Sequence, residues 1–562
     1  MISFIKTVLI DLKEKDLKFE DLLFILPSKR AGVFLKHQLS KVLEAPIFSP
    51  QILSIEEFVE ELSGLQGLPN TELLFRLYDT YKGITKPSDL ESFDSFSKWA
   101  QILLQDFNEI DRYLIPQEHI FDYLKAIKEL NHWSLEPEPT ELISSHLKFW
   151  KRLKEYYNAF TDHLLETKHG YQGLIYRQAW DHLEAYIDTH KDVTHVFLGF
   201  NALNTSESRI IQGLLQSDIA HVYWDIDRQF INDPIHDAGL FTRAHKTQWN
   251  YFKTHPFNWA TSHYTDPKNI EIVGIPKLIG QAKYIGQLLE ELNSKNKNLS
   301  SVAVVLGEEN LLMPVLNSIP KSITKVNVTM GLPLRYVPMA SFFEHLFSIH
   351  KNNSTAYYYK EVISILTHPS VYPLFEAVSG NTSQRIVEHI QKNNLVYVTA
   401  DALCHYDDSH TELIKLLFGP WNDIAATGLK HCTDIIFKMK AYFDTNKGNN
   451  GLELEYLYRF NTLFNQLSEL NTTYTHINSI NTLHTLYKEL LSSETLDFKG
   501  EPLEGLQIMG MLESRVLDFD TVIISSVNEG ILPSGKTNNS FIPYDVKIEN
   551  KLPTYKEKDA VY

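Results

Sequence analysis

The sequence predicts an α/β protein made of two parallel-sheet domains, each interrupted by a mainly helical insertion. Three observations carry this reading. Helix and strand signals alternate at the start of the chain, around residue 200 and around residue 300, which is the pattern of parallel sheets with crossover helices. Helical periodicity runs almost unbroken from about 70 to 180 and from about 335 to 495. The chain has 562 residues, 43% of them hydrophobic and 22% charged, the make-up of a folded globular protein long enough for several domains. The first domain is expected over 1-68 and 181-265 around an insertion at 69-180. The second is expected over 266-335 and 501-562 around an insertion at 336-500.

Taken in chain order, Phe4 to Leu12 is amphipathic, Leu22 to Leu26 is a continuous apolar strand, Ala31 to Leu43 is helical, and Ile52-Leu53-Ser54 is a second strand. Strand signals return at Thr194 to Leu198 and His221 to Trp224, with a helix from Ser206 to Leu215 between them. Ile270 to Val273 is expected to open the second sheet, before a helix from Ile279 to Leu292 and a strand from Val302 to Leu306. Thr445 to Asn450 reads as a flexible loop. Leu506 to Met509 and Thr521 to Val527 complete the second sheet. Thr554 and Glu557 form a capping box at the start of a further helix, from which the chain is expected to be part of a longer protein.

Composition excludes several classes. No apolar run approaches the ~18 residues of a membrane span, and Met1 to Lys15 lacks a signal-peptide pattern, so a cytoplasmic protein is expected. Cys404 and Cys432 are the two cysteines, without zinc spacing. The net charge of -17 disfavours a protein that coats nucleic acid with its whole surface and leaves room for local contact.

Gly530 to Thr537, GILPSGKT, fits the phosphate-loop pattern G-x-x-x-x-G-K-[ST]. The strand before it is credible. Asn538-Asn539-Ser540 leads into Ile542-Pro543, however, where the residue before proline is pushed out of the helical region, so the helix that a phosphate loop requires is not expected. Gly530, Gly535, Lys536 and Thr537 are therefore read as a decoy. The alternative is an active ATPase or DNA translocase that uses Lys536.

Other runs carry a resemblance. They are LPSKRAG (Leu26 to Gly32), WAQILLQDFNEIDRYL (Trp99 to Leu114), FLGFNALNTSE (Phe197 to Glu207), YWDID (Tyr223 to Asp227), NVTMGLPL (Asn327 to Leu334) and MGMLESRVLDFDTVIISSVNEGILP (Met509 to Pro533). Spread over nearly the full chain, they closely resemble the helicase-like part of the AddB family, the partner subunit of the AddAB helicase-nuclease. That resemblance implies two tandem RecA-like domains of the superfamily 1 helicase type. It also implies inactivation: no phosphate loop stands before the first helix, Leu198-Gly199-Phe200-Asn201 lacks the strand-end acids that would bind magnesium, and Ile508 to Asp520 looks like a worn copy of the helicase segment T-x-H-x-x-K-G-L-E-F. The implied function is a scaffold that guides single-stranded DNA in double-strand-break repair by recombination, with an AddA-type helicase-nuclease subunit as partner. The family's C-terminal PD-(D/E)XK nuclease, with magnesium and an iron-sulfur cluster, would lie beyond these residues; its carboxylate-lysine signature and cysteines are not in them.

Candidate DNA contacts are Lys29, Arg30, Ser54, Trp224 and Arg515. Lys29 and Arg30 can meet a phosphate at a helix N-terminus or form a solvated helix start. Trp224 can stack a base or pack inside the protein. The D-x-D of Asp225 and Asp227 is a weak metal pattern without a third ligand, so no metal, catalytic or nucleotide-binding residue is assigned. Glu513 and Arg515 fit either a DNA or partner contact or an internal ion pair. Asp106, Glu109 and Asp111 cluster on one predicted helix, where surface or capping roles are expected.

Overall fold

The structure is a computed structural model that describes residues 3-131, 141-257, 259-295, 297-352, 354-379, 381-407, 409-445, 450-498, 503-533, 539-554 and 557. It divides into two compact units. One comprises Met1–Leu90, Lys98–Met330 and Phe498–Tyr562; the other comprises Glu91–Ser97 and Gly331–Asp497.

The first unit holds two four-stranded parallel sheets. In the first sheet, β1 (Leu22–Leu26), β2 (Gln51–Ser54), β3 (Thr194–Leu198) and β4 (Ala220–Tyr223) run in the order β2-β1-β3-β4. Phe24 pairs with both Ile52 and Val196, and Phe197 with Val222. All five residues of β1 are buried, which explains the continuous apolar run: a parallel strand is covered on both faces. One face meets α1 (Phe4–Glu14) and α2 (Lys29–Val42), whose Phe4, Val8, Leu12 and Leu35 pack with Phe24, Leu26, Val196 and Leu198. On the other face, Phe58 of α3 (Ile55–Ser63) lies edge-on to Phe197, and Tyr186 of α8 (Gln172–Thr189) edge-on to Phe58.

Between them lie α4 (Asn70–Ile84), α5 (Phe93–Arg112), α6 (Gln117–Asn131) and α7 (Glu141–Glu166). Their centre is polar at one point. Asp111 is fully buried and accepts from Arg177 Nε at 2.6 Å, from Tyr157 Oη at 2.5 Å and from the Tyr171 hydroxyl. Its three donors satisfy the charge that burial would otherwise penalise. Asp106 is buried as well. Of the surface or capping roles expected for these two acids, the surface one is corrected: they face inward because Arg177 and the chain around Ser540 supply donors there.

In the second sheet, β5 (Val302–Leu306), β6 (Val326–Val328), β7 (Leu506–Gly510) and β8 (Thr521–Ser525) run in the order β8-β5-β7-β6. Ala303, Val305 and Met509 form a small core with Met511 and Phe519. The helix Leu278–Ser294 leads into β5. The strand expected at Ile270 to Val273 is not formed. Among the described residues these four have no ladder partner, and Ile272 is 95% exposed.

The second unit is mainly helical. Helices Pro338–His350, Gly451–Tyr474 and Ile480–Ser493 bury Phe343, Phe347, Phe460, Phe464 and Tyr487, and Phe347 lies edge-on to Trp421. His350 stacks on Trp421 at 4.1 Å and bonds the Leu417 carbonyl through Nε2. Burial lowers its pKa to about 4. Two short antiparallel pairs, Ala356–Tyr358 with Tyr397–Thr399 and Leu332–Pro333 with Thr495–Leu496, edge the helices. Cys404 and Cys432 are free thiols. The loop expected at Thr445 to Asn450 lies largely outside the described residues.

Candidate functional site

The carboxyl ends of strands are where open parallel sheets bind ligands, and here protein groups from the two sheets fill that region. Helix α1 begins at Phe4 with Ser3 as its N-cap. The Phe4 N-H donates to Asp518 Oδ2 at 2.9 Å. Asp518 comes shortly after the turn Leu512–Ser514 that leaves β7. A carboxylate at this place satisfies an orphan N-H and meets the positive end of the helix dipole.

Just before Asp518 in the chain, the close approach is apolar. Val516 is buried, has φ +67°, and joins the core of the first sheet with Val196 and Leu198. Gly199, directly after β3, has φ +75°, and a Cβ placed there would stand 2.2 Å from a Val516 methyl. Only glycine fits, both for the backbone angle and for the space. A β-branched residue in the left-handed region is itself uncommon, so Val516 is held there by the contact it makes.

Arg30 forms the third link. Its guanidinium donates to the Thr329 hydroxyl and, at 2.9 Å, to Gln507 Oε1, which also accepts from Asn327 Nδ2 at 2.8 Å. Gln507 and Asn327 are buried. Burial lowers the Arg30 pKa to about 10, opposed by the nearby Glu513 charge, and the group stays protonated at neutral pH. Neither reading given for Arg30, a phosphate contact or a solvated helix start, is what the structure forms: its donors are directed into the second sheet, because β6 and β7 and the residue after β6 present polar side chains there.

Lys29 and Ser54 come together through Glu57. Lys29 Nζ lies 2.7 Å from Glu57 Oε1, while Glu57 Oε2 accepts from Ser54 N at 2.9 Å. Ser54 Oγ in turn accepts from Glu57 N, closing the capping box of α3. Glu57 raises the Lys29 pKa by hydrogen bond and charge, and Lys29 lowers that of Glu57 in the same way. Lys29 is exposed; Ser54 is buried. The structure thus gives Ser54 a capping role.

Trp224 is 1% exposed. One stacked neighbour is His245, with centroids 5.1 Å apart, another is Phe257, and Trp249 lies edge-on at 5.5 Å. Of the two readings given for Trp224, the structure forms packing inside the protein, within an aromatic cluster that its neighbours complete, and not an exposed face for a base. Asp227 caps the short helix Arg228–Asn232 by accepting from Gln229 N, and also accepts from Tyr264 N. Among the described residues, no group of three or more His, Cys, Asp or Glu side chains is placed to hold a metal. Arg515 is partly exposed beside Val516.

Gly530 has φ +77° with open space around it; Gly535, Lys536 and Thr537 lie outside the described residues. Beyond them, residues 539-543 are not helical. Ser540 Oγ and Phe541 N donate to the two oxygens of Asp106, at 2.5 and 2.7 Å, and Lys547 reaches Glu109 at 2.7 Å. Burial raises the Asp106 pKa to about 6, against the pull of these two donors. Sequence reasoning missed the pairs Phe4 with Asp518, Gly199 with Val516 and Asp106 with Ser540. The one local hint was Gly199, a glycine ending an apolar strand.

No protein-family model matches the sequence, and no curated protein matches it. No described helix is long and apolar enough to cross a membrane.

Proposed function

We propose that the chain is a superfamily 1 helicase-like scaffold without ATPase activity, acting in an AddAB-type complex where it guides single-stranded DNA during recombinational repair. The observation that carries this reading is the filling of the strand-end region. Asp518 takes the α1 N-terminus, Val516 covers Gly199, and Arg30 is committed to Gln507 and Thr329. A nucleotide needs helix N-terminal amides for its phosphates and a strand-end acid for magnesium; at α1 the Phe4 amide is taken by Asp518, and Leu198-Gly199-Phe200-Asn201 lacks the acid. Two parallel sheets, with every AddB-like run except Trp99 to Leu114 on their strands or strand ends, support two RecA-like domains. An AddA-type subunit as partner, a nuclease elsewhere in the parent protein with magnesium and an iron-sulfur cluster, and a cytoplasmic location belong to the same proposal.

Of the candidate DNA contacts, Lys29 is exposed and Arg515 partly exposed. The test is ATP binding by calorimetry beside binding of a labelled oligo(dT) by fluorescence anisotropy. Oligo(dT) binding without ATP binding is expected, and Lys29→Ala weakens it. ATP binding that Lys536→Ala abolishes would overturn the reading in favour of a motor.

A further inference from the structure

Among the described residues, strand β8 is an open edge of the second sheet, opposite the edge formed by β6. Its Val522 and Ile524 pair in register with Ala303 and Val305 of β5, so these four side chains share one face. Ala303 and Val305 are in the small core, whereas Val522 and Ile524 are 49% and 47% exposed. The apolar stripe runs to the edge and stops there uncovered. An edge strand of this kind is a template for one more strand.

The chain carries a segment that matches it. Ile270-Glu271-Ile272-Val273 alternates as a strand does, with Ile270 and Ile272 75% and 95% exposed. Its downstream end is tethered at the right place. Gln281, in the first turn of the helix Leu278–Ser294, accepts from the N-H of Ser526, the residue directly after β8, at 2.9 Å. A segment laid back from that point runs parallel to β8, as every strand of the sheet does. Four residues beside the four from Val522 to Ser525 place Ile270 next to Val522 and Ile272 next to Ile524, on the same face. Between segment and helix stands Lys277, with φ +63° and ψ 150°, a backbone conformation that glycine adopts freely and lysine only under strain. Its relaxation supplies the hinge.

We propose that Ile270–Val273 is an edge strap, which docks parallel to β8 as a fifth strand and extends the Ala303, Val305, Val522 and Ile524 stripe with Ile270 and Ile272. Docking closes the open edge and covers the apolar patch in one step.

The experiment uses the full chain. In an Ile272→Cys/Ile524→Cys variant, mild oxidation followed by peptide mass spectrometry should find an intramolecular disulfide. An Ile235→Cys/Ile524→Cys control, with a thiol at another exposed position, should give none. Hydrogen exchange of the unsubstituted protein provides a measurement that needs no variant: amides of 270-273 and 521-525 should exchange at least about tenfold more slowly than in an unstructured chain. Ile272→Asp should remove that protection from the 270-273 amides. Linkage no better than the control, linkage only between two chains, or 270-273 amides exchanging at the unstructured rate would each overturn the strap.

Discussion

Asp106 is a buried carboxyl whose native pKa, about 6, lies above its ordinary value of 3.8. The native state therefore binds its proton more tightly than the unfolded chain does. Stability from the neutral carboxyl is fully present below about pH 4 and is lost as pH rises through 6, by about 3 kcal/mol. Asp106→Asn removes this titration, so its stability relative to the parent should improve between pH 4 and 7 in denaturant melts; parallel profiles would show that Asp106 does not titrate there. Gly199 gives a second residue-scale prediction. Alanine there meets both a positive φ and the Val516 methyl 2.2 Å away, and should cost about 3 kcal/mol of unfolding free energy. A loss under about 0.5 kcal/mol would mean that Val516 moves aside freely.

At the scale of elements, Ser54 joins β2 to α3. Ser54→Ala removes a capping box and should cost about 1 kcal/mol, measured by thermal melting, with Ser54→Thr largely restoring it. The elements most legible in the sequence are those whose burial is written locally. Leu22 to Leu26 and Val302 to Leu306 are apolar throughout because both faces of a parallel strand are covered, and the structure forms strands there. Ile270 to Val273 carries as strong a local signal, yet a strand exists only with a ladder partner, and local sequence does not specify one. The site was less legible for the same reason. Phe4 and Asp518 meet across 514 residues, and a basic pair such as Lys29-Arg30 reads as one unit although its two side chains leave the helix start for different partners. Trp224 shows the converse: its neighbours His245, Trp249 and Phe257 come soon after it in the chain, but aromatic residues spaced in this way do not announce that they will meet.

For the whole molecule, the charge balance sets the form of any nucleic-acid contact. With a net charge of -17, the proposed single-strand binding would have to rest on a few local cations. The logarithm of oligo(dT) affinity should fall against the logarithm of salt with a slope of about -2 to -4, corresponding to roughly three to five phosphates. A slope steeper than about -7 would indicate a far more extensive basic surface than this sequence offers. The Asp518 contact has a consequence of a different sort. It is a competitor that can never be diluted or dialysed away. Joined to the helix by the chain itself, its carboxylate faces the α1 amide at an effective concentration of millimolar or more, and a dissolved phosphate must outcompete it before making any contact of its own. The helix dipole that attracts anions is thus kept, with an occupant that arrives with the fold.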